Sequence, residues 1–339
     1  MPVRRRAPRV QSVALSVCLA GCAPAFASTG EAPAPRAELR AFAADVAASG
    51  GPAEAEVLAT LEHAKVQQSI LDAIARPAEA TKPWKDYRPI FVTDKRIADG
   101  VAFYRTNREL LERIGREYGV PPEIVVAIVG VESSYGRISG KYRVVDALST
   151  LAFRYPPRAA FFRGELKQLF LLERDRLAYP IDEIRGSYAG AMGWGQFMPT
   201  SIAKWAKDED GDGRIDLWSS LPDIAASVAN YFAEHGWRAG APVAVRAQPA
   251  ADARAIQPQG SEPVYPLQQL EAWGYAPVAH VEADTPSTLL TLDGDNGPEY
   301  WLTFANFYAI TRYNRSPLYS MAVWQLAQAI AAGAASPPP

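Results

Sequence analysis

The feature that most constrains the fold is a short apolar segment that begins with proline and ends with a carboxylic acid. From Pro122 to about Ser133 the chain is apolar on nearly every face, so this segment must be buried on all sides. Proline at its start and its length favour a core helix. Its β-branched residues favour a buried strand, which stays open as the alternative. Either element needs others packed around it.

Helical patterns dominate the rest of the chain, and one stretch differs. Residues 241–296 place valines and leucines among Pro, Gly and Thr, which predicts a small β-rich insertion. The expected fold is therefore mainly α (α+β). It has an N-terminal helical region (37–120), a helical core (121–240), the insertion, and a C-terminal part (297–332). The predicted helices are Ala37 to Ala48, Ala53 to Ala75, Thr93 to Gly119, 159–177, 200–207, 222–236 and 317–332.

The N-terminus has the pattern of an export signal. A basic start is followed by the apolar run Val10 to Ala20, which is too short to span a bilayer. Leu19-Ala-Gly-Cys22 resembles a lipobox, at which cleavage would remove residues 1–21 and leave a lipid-modified Cys22. Cleavage after Ala27, at a small-x-small site, is the alternative. Both predict an exported protein, and the lipobox predicts a periplasmic protein tethered to the outer membrane.

Two further segments are predicted to lack a packed structure. Residues 22–36 are rich in Ala and Pro and would tether the folded body to the lipid, and residues 333–339 form a tail that we expect to be disordered.

Charge and cysteine content exclude several classes of function. Removal of residues 1–21 lowers the formal net charge from −2 to −6, so a nucleic-acid partner is not expected. The two cysteines, Cys18 and Cys22, both lie at the signal, which leaves no structural disulfide. The three histidines lack the spacing of metal ligands. We expect a monomer.

Glu132 is the candidate catalytic acid. It ends the apolar segment, where desolvation and the negative end of a helix dipole both favour the neutral carboxyl group. A neutral glutamic acid can donate a proton to a glycosidic oxygen. The alternative is a solvated glutamate at a frayed helix end.

A glycine-rich segment, Gly186 to Thr200, supplies a candidate cleft. Its glycines allow backbone to approach a ligand, Tyr188, Trp194 and Phe197 offer faces for sugar rings, and Gln196 can both donate and accept hydrogen bonds. A glycine-rich turn with core aromatic residues is the alternative.

An acidic loop resembles an EF-hand. Asp208, Asp210, Asp212 and Asp216 occupy positions 1, 3, 5 and 9, and the backbone carbonyl of Arg214 occupies position 7. Calcium is the expected ion. Position 12 is Ser219 instead of glutamate, so the usual bidentate ligand is missing, and a loop that binds no ion is the alternative.

Several motifs in a fixed order resemble the lysozyme-like lytic transglycosylases, and among them the membrane-bound lytic murein transglycosylase B family. The resemblance spans roughly residues 85–330. It implies a lysozyme-like helical core. The motifs are Glu132-Ser-Ser-Tyr-Gly136, Gly190-Ala-Met-Gly193, Gln196-Phe-Met-Pro199, Ala229-Asn-Tyr231, and Asn306 to Asn314 with Ser316 and Tyr319.

The resemblance implies a reaction and a partner, the glycan strands of peptidoglycan. Glu132 would protonate the oxygen between MurNAc and GlcNAc, then accept the proton of the C6 hydroxyl as a 1,6-anhydro ring closes. The substrate's N-acetyl group would replace a second carboxylate. The alternative, a hydrolytic muramidase, would need a second carboxylate or a positioned water molecule; no second acid adjoins the motif, and Asp146 and Glu165 are the candidates from elsewhere in the chain. A non-catalytic glycan-binding protein is the third hypothesis.

The resemblance also implies binding residues. Ser187 and Gln196 would hydrogen-bond the N-acetyl region, and Asp223 would complete the calcium site. Phe161 departs from the pattern, which has tyrosine there. The residues expected to line the glycan cleft are Tyr231, Tyr313, Asn314, Tyr319 and Tyr87.

The lipobox predicts that Cys22→Ser releases the protein from membranes, because the acylated cysteine would be the anchor. Fractionation of cells that express wild type, C22S and the control C18S would measure this. We expect only C22S to move to the soluble fraction; equal membrane retention of all three proteins would contradict lipidation.

Overall fold

The structure, a computed structural model, describes residues 36–75, 82–172, 176–258 and 260–336. The predicted signal, the tether as far as residue 35 and the last three residues of the tail lie outside these ranges. The helices are α1 (Arg36–Ala48), α2 (Glu54–Glu62), α3 (Gln68–Ile74), α4 (Trp84–Phe91), α5 (Asp94–Thr106), α6 (Arg108–Tyr118), α7 (Pro122–Ser133), α8 (Val144–Arg154), α9 (Ala159–Leu171), α10 (Pro199–Trp205), α11 (Leu221–Glu234), α12 (Leu267–Ala272), α13 (Ala305–Tyr313) and α14 (Pro317–Ala335). The strands are β1 (Tyr142–Arg143), β2 (Arg185–Gly186), β3 (Ala244–Pro249), β4 (Tyr265–Pro266), β5 (Tyr275–Pro277), β6 (Pro286–Gly294) and β7 (Gly297–Thr303).

Helix α7 is the centre of the molecule. The apolar segment is a helix and not a strand, and every residue from Ile124 to Ser133 is buried. It packs against α5, α6, α11 and α14, so helices from distant parts of the chain surround it. The mainly α fold with a small β-rich part is confirmed.

The end of α7 is a tight left-handed turn. Ser134, Tyr135 and Gly136 have φ of 51°, 61° and 81°, and the Tyr135 N–H donates to the Val129 carbonyl at 3.2 Å. This hydrogen bond, which reaches back six residues, closes the end of the helix. A Cβ on Gly136 would lie 2.2 Å from the Trp194 ring, so only glycine lets the glycine-rich segment approach this turn.

Two predicted helices are each divided in the structure. The predicted helix 53–75 breaks between α2 and α3, because the N–H groups of Lys65 and Gln67 donate to side chains of α8, Asp146 at 3.0 Å and Thr150 at 3.1 Å. The predicted helix 93–119 breaks at Asn107, whose side chain donates to the Phe103 carbonyl at 2.8 Å. Tertiary and side-chain hydrogen bonds replace the helical ones at both points.

Other helices differ from the predicted ones in extent. Helices α4, α8, α12 and α13 were not predicted, and α12 lies inside the stretch predicted to be β-rich. Helix α9 ends at Leu171, before the predicted 177, and α14 continues to Ala335, into the predicted tail. Pro89 inside α4 explains why its helical pattern is weak in the sequence.

The predicted β-rich part is an antiparallel sheet of strand order β4-β6-β7-β3-β5. β6 and β7 form a hairpin that pairs Thr288 with Thr303 and Gly294 with Gly297. The sheet therefore continues through Thr303, whereas the sequence analysis ended the insertion at 296. A small core of its own, which includes Leu267, Leu289 and Leu302, holds this part together.

None of the helices in the described ranges has the length and apolar character needed to cross a membrane.

Candidate active site

The carboxyl group of Glu132 lies at the C-terminal end of α7, where the side chain is only 8% exposed. Its Oε1 accepts a hydrogen bond from the hydroxyl of Tyr319, at 2.5 Å. Tyr319 is fully buried on α14 and is 187 residues away in sequence. This contact between two packed helices fixes the orientation of the carboxyl group.

The start of α14 holds Tyr319 in place. The Asn314 Oδ1 accepts from the Ser316 N–H at 3.0 Å, and the Ser316 Oγ accepts from the Tyr319 N–H at 3.3 Å. These bonds cap the first turn of the helix. Asn314 is itself 6% exposed, so in this structure it orders the turn that carries Tyr319.

A second tyrosine of the candidate site is Tyr313, the last residue of α13. Its hydroxyl donates to the Gly195 carbonyl at 2.5 Å, which joins α13 to the glycine-rich segment. Burial and, after it, the charge of Glu132 raise the pKa of Tyr313 well above its usual value. The same two causes raise the pKa of Tyr319. Both hydroxyls therefore stay protonated and act as hydrogen-bond donors near Glu132.

Tyr231 on α11 forms an aromatic cluster with Tyr313. Its hydroxyl donates to the Arg312 carbonyl at 2.6 Å, and burial raises its pKa to about 12. Its ring stacks on His235, with centroids 3.9 Å apart, and meets Tyr313 edge-on at 4.8 Å. α11 and α13 are thus joined beside the cleft.

Tyr87 lies behind the site. It is 1% exposed on α4, its ring lies 5.2 Å from that of Phe91, and it contributes to the raised pKa of Tyr319. Tyr87 thus belongs to the buried surroundings of Tyr319.

The glycines of the glycine-rich segment permit close approach of backbone to neighbouring elements. Gly190 and Gly193 have φ of 85° and 68°. A Cβ on Gly190 would lie 2.5 Å from Leu148, and one on Gly193 would lie 2.5 Å from the Leu217 carbonyl oxygen. The backbone of the glycine-rich segment therefore lies in direct contact with α8 and with the end of the acidic loop.

Ser187 and Gln196 are partly buried in this segment. The Ser187 Oγ accepts from the N–H groups of Ala189 at 3.2 Å and Ala191 at 3.0 Å. The Gln196 Nε2 donates to the carbonyls of Ser139 at 3.2 Å and Gly193 at 2.9 Å. Within the protein, the serine hydroxyl therefore acts as a hydrogen-bond acceptor and the glutamine amide acts as a hydrogen-bond donor.

The two other acids considered from sequence have structural partners. Asp146 pairs with Arg143 at 2.7 Å, and Glu165 accepts from the Thr200 N–H at 3.0 Å, at the start of α10. Phe161, where the family pattern has tyrosine, is 41% exposed and lies 4.5 Å below the Arg158 guanidinium.

The acidic loop brings three carboxylates together. Ligand oxygens of Asp208, Asp210 and Asp212 lie within 4.8 Å of one another, an arrangement of like charges that a cation would stabilise. Asp216 instead accepts from the Trp218 and Ser219 N–H groups, both at 2.8 Å.

Asp223 is 1% exposed and accepts hydrogen bonds from backbone N–H groups of the same loop. Its Oδ1 accepts from the Glu209 N–H and its Oδ2 from the Asp216 N–H, both at 2.8 Å. All five predicted carboxylate ligands accept backbone N–H groups, and the structure gathers the side chains of the first three. The Arg214 N–H donates to Asp212 at 2.7 Å, so its peptide is part of the loop.

Residues 34–328 match the protein family described as Transglycosylase SLT domain. The chain belongs to this family. It is 45% identical to the membrane-bound lytic murein transglycosylase B of Escherichia coli (strain K12) over 264 residues, which cover 78% of this chain and 72% of the relative. The resemblance stated from the motifs is confirmed.

Solved structures agree with this membership of the SLT-domain family. The soluble lytic transglycosylase SltB1 of Pseudomonas aeruginosa is 47% identical and superposes with a TM-score of 0.82, covering 87% of this chain and 98% of that one. The Escherichia coli lytic transglycosylase Slt35 in complex with calcium is 40% identical, with a TM-score of 0.80 and coverage of 89% and 95%.

Sequence reasoning missed the backbone acceptors of this SLT-domain site. The carbonyls of Gly195 and Arg312 receive the hydroxyls of Tyr313 and Tyr231. A backbone carbonyl carries no residue-type signal, so no pattern in the sequence identifies these acceptors.

The Tyr319–Glu132 contact predicts a loss of stability in Tyr319→Phe. Removing a buried donor to a carboxyl group costs about 1–3 kcal/mol of unfolding free energy, which urea denaturation would measure. Tyr118→Phe is the matched control, because the Tyr118 hydroxyl also donates to a glutamate, Glu209, at 3.3 Å near the surface. We expect it to cost below about 1 kcal/mol; equal losses would contradict the special role of Tyr319.

Proposed function

We propose that this chain is a lytic transglycosylase that cleaves the MurNAc-GlcNAc β-1,4 bond of peptidoglycan and leaves 1,6-anhydroMurNAc ends. The observation that carries the proposal is the buried Glu132 carboxyl at the end of an apolar helix, held by the Tyr319 hydroxyl. The names of the relatives, lytic transglycosylases, support the same substrate and reaction.

Glu132 acts first as acid and then as base. Its burial at 8% exposure favours the neutral carboxyl, which donates a proton to the glycosidic oxygen. The hydrogen bond from Tyr319 favours the carboxylate that is left behind. That carboxylate then accepts the proton of the C6 hydroxyl while O6 attacks C1 and closes the anhydro ring. Both forms of one residue are thus accessible during a single turnover.

The engagement of the two other candidate acids in structural contacts supports a mechanism with one carboxylate. Asp146 is tied to Arg143 and Glu165 to the start of α10, so each already has a structural role. The substrate's N-acetyl group would then stabilise the cationic centre, as in substrate-assisted glycosidases. A hydrolytic muramidase on this fold would need a second carboxylate or a positioned water molecule.

Ser187 and Gln196 would bind the N-acetyl region with the groups that the protein leaves to a ligand. The Ser187 hydroxyl proton can be donated and the Gln196 Oε1 can accept, because the hydrogen bonds described above use the opposite side of each group. Tyr231 and Tyr313 would line the cleft with their aromatic rings, while their hydroxyls donate to backbone. Tyr319, Asn314 and Tyr87 would act by positioning.

The decisive test is the product of Glu132→Gln. Wild-type protein incubated with peptidoglycan should release fragments with anhydro ends, lighter by one water than hydrolysed ends in mass spectrometry. E132Q cannot donate the proton, so we expect those fragments to disappear. Glu123→Gln, in the first turn of the same helix, is the control and should leave them.

The other hypotheses predict different products. Reducing ends from wild type would favour the muramidase. Glycan binding that persists in E132Q, with no turnover by wild type, would favour a non-catalytic binding protein.

We also propose that the acidic loop binds a structural Ca²⁺ through Asp208, Asp210 and Asp212, with the Arg214 carbonyl in the expected seventh position. The gathered carboxylates support this, as does the calcium complex of Slt35. Asp216 and Asp223 would shape the loop in its described form. The ion would stabilise the chain between Gln196 and Tyr231, both of which are expected at the cleft.

Calcium should therefore raise the melting temperature of the purified protein. A ligand at a hundredfold excess over its Kd adds about 2.7 kcal/mol to the free energy of unfolding. Differential scanning calorimetry with calcium and with chelator would measure the shift, which we expect to vanish in Asp208→Ala and to persist in the control Asp252→Asn, an exposed acid of the insertion. The absence of a shift in wild type would remove the calcium proposal.

The envelope location rests on the signal and lipobox patterns. We place the protein in the periplasm, tethered to the outer membrane through Cys22 and acting on nearby glycan strands as a monomer. The relative from Escherichia coli, named a membrane-bound transglycosylase, supports this location.

A further inference from the structure

A cavity of about 470 Å³ lies between the β-rich part and the start of the C-terminal helices. One wall comes from the loop 256–258 and from the strand β6, which contributes Leu290 and Thr291. The other wall comes from α13 and the turn into α14, with Tyr308, Arg312 and Arg315.

The cavity is positively charged. Arg312 and Arg315 line it, and no carboxylate is present among its lining residues in the described ranges. The ion pairs found in these ranges include neither arginine. The Arg312 guanidinium lies 5.7 Å from the centroid of the Tyr308 ring, which orients it. This local excess of positive charge contrasts with the net charge of −2 of the whole chain.

Arg312 links the cavity to the candidate site. It directly precedes Tyr313, and its carbonyl receives the Tyr231 hydroxyl at 2.6 Å. The C-terminal end of α13 therefore carries both a lining residue of the cavity and residues of the candidate site.

The chemistry of the walls defines a class of ligand. Two arginines suit free carboxylates, which they can bind through paired N–H donors. Ile256, Pro258 and Leu290 suit the aliphatic parts of short side chains. In a glycan strand of peptidoglycan, the group that carries both is the peptide stem on MurNAc.

We infer that the cavity between the β-rich part and α13 binds the carboxylates of the peptide stem through Arg312 and Arg315. This inference rests on the proposed function, because it takes the same polymer as substrate. It gives the β-rich part a role: the sheet supplies the wall that faces the two arginines. Substrates whose stems carry free carboxylates would be preferred over substrates whose stems are neutral.

The test compares two synthetic glycan tetrasaccharides that differ only in their stems. One carries stems with free carboxylates, and the other carries the same stems as carboxamides. For wild type we expect kcat/KM to be about tenfold higher with the acid form, and the ratio to fall towards one in R312Q/R315Q, since charge-assisted hydrogen bonds are lost. R312K/R315K keeps the charges and should retain most of the ratio. Arg116→Gln, an exposed arginine of α6, is the matched control.

Binding of the same two compounds to E132Q, followed by fluorescence anisotropy, gives a second readout that does not need turnover. We expect the same preference in Kd, and its loss when R312Q/R315Q is added. Equal Kd and kcat/KM for the two forms in wild type would overturn the inference, as would a preference that survives in R312Q/R315Q.

The two readouts separate this inference from the proposed function. Anhydro products without a preference for the acid form would retain the transglycosylase and remove the stem site. A preference in Kd without any turnover by wild type would retain the site and remove the proposed reaction.

Discussion

The burial of α7 is the constraint on which the rest of the structure depends. A helix that is apolar all round cannot be covered by one neighbour, and four helices from both halves of the chain surround it. The same burial determines the environment of the carboxylic acid at its end. Glu132 is desolvated because it lies on this central helix. The burial of α7 therefore accounts both for the core and for the apolar environment of the acid.

A carboxyl group in that environment needs a defined partner, and the end of the chain supplies it. Tyr319 comes from α14, which packs along α7 for structural reasons as well. Its first turn is capped by Asn314 and Ser316, so the donor is placed by helix capping. Desolvation and the hydrogen bond act on Glu132 in opposite directions. This balance suits the proposed reaction, in which one residue acts as an acid in one step and as a base in the next.

The chain between α7 and α14 also contributes to the candidate site. The β-rich part is inserted between α11 and α13, and it returns the chain directly to the helix that carries Arg312 and Tyr313. Tyrosine hydroxyls along this path donate to backbone carbonyls of other elements. The polar atoms of these candidate-site side chains are thus already bonded within the fold, which holds the side chains rigid.

The sequence by itself determined that 122–133 is buried on all sides, that an acid ends this segment, and the motifs by which the family was identified. These features depend on local composition and spacing, which a linear pattern records. The tertiary structure alone decided the break between α2 and α3, where Asp146 and Thr150 capture backbone N–H groups. It also decided that Tyr319 and Tyr87 are buried, and that Asp216 and Asp223 bind the loop backbone. The reason is that a backbone N–H group or a carboxylate can bond to partners that lie far apart in sequence. Only the folded chain determines which of these partners is within hydrogen-bond distance.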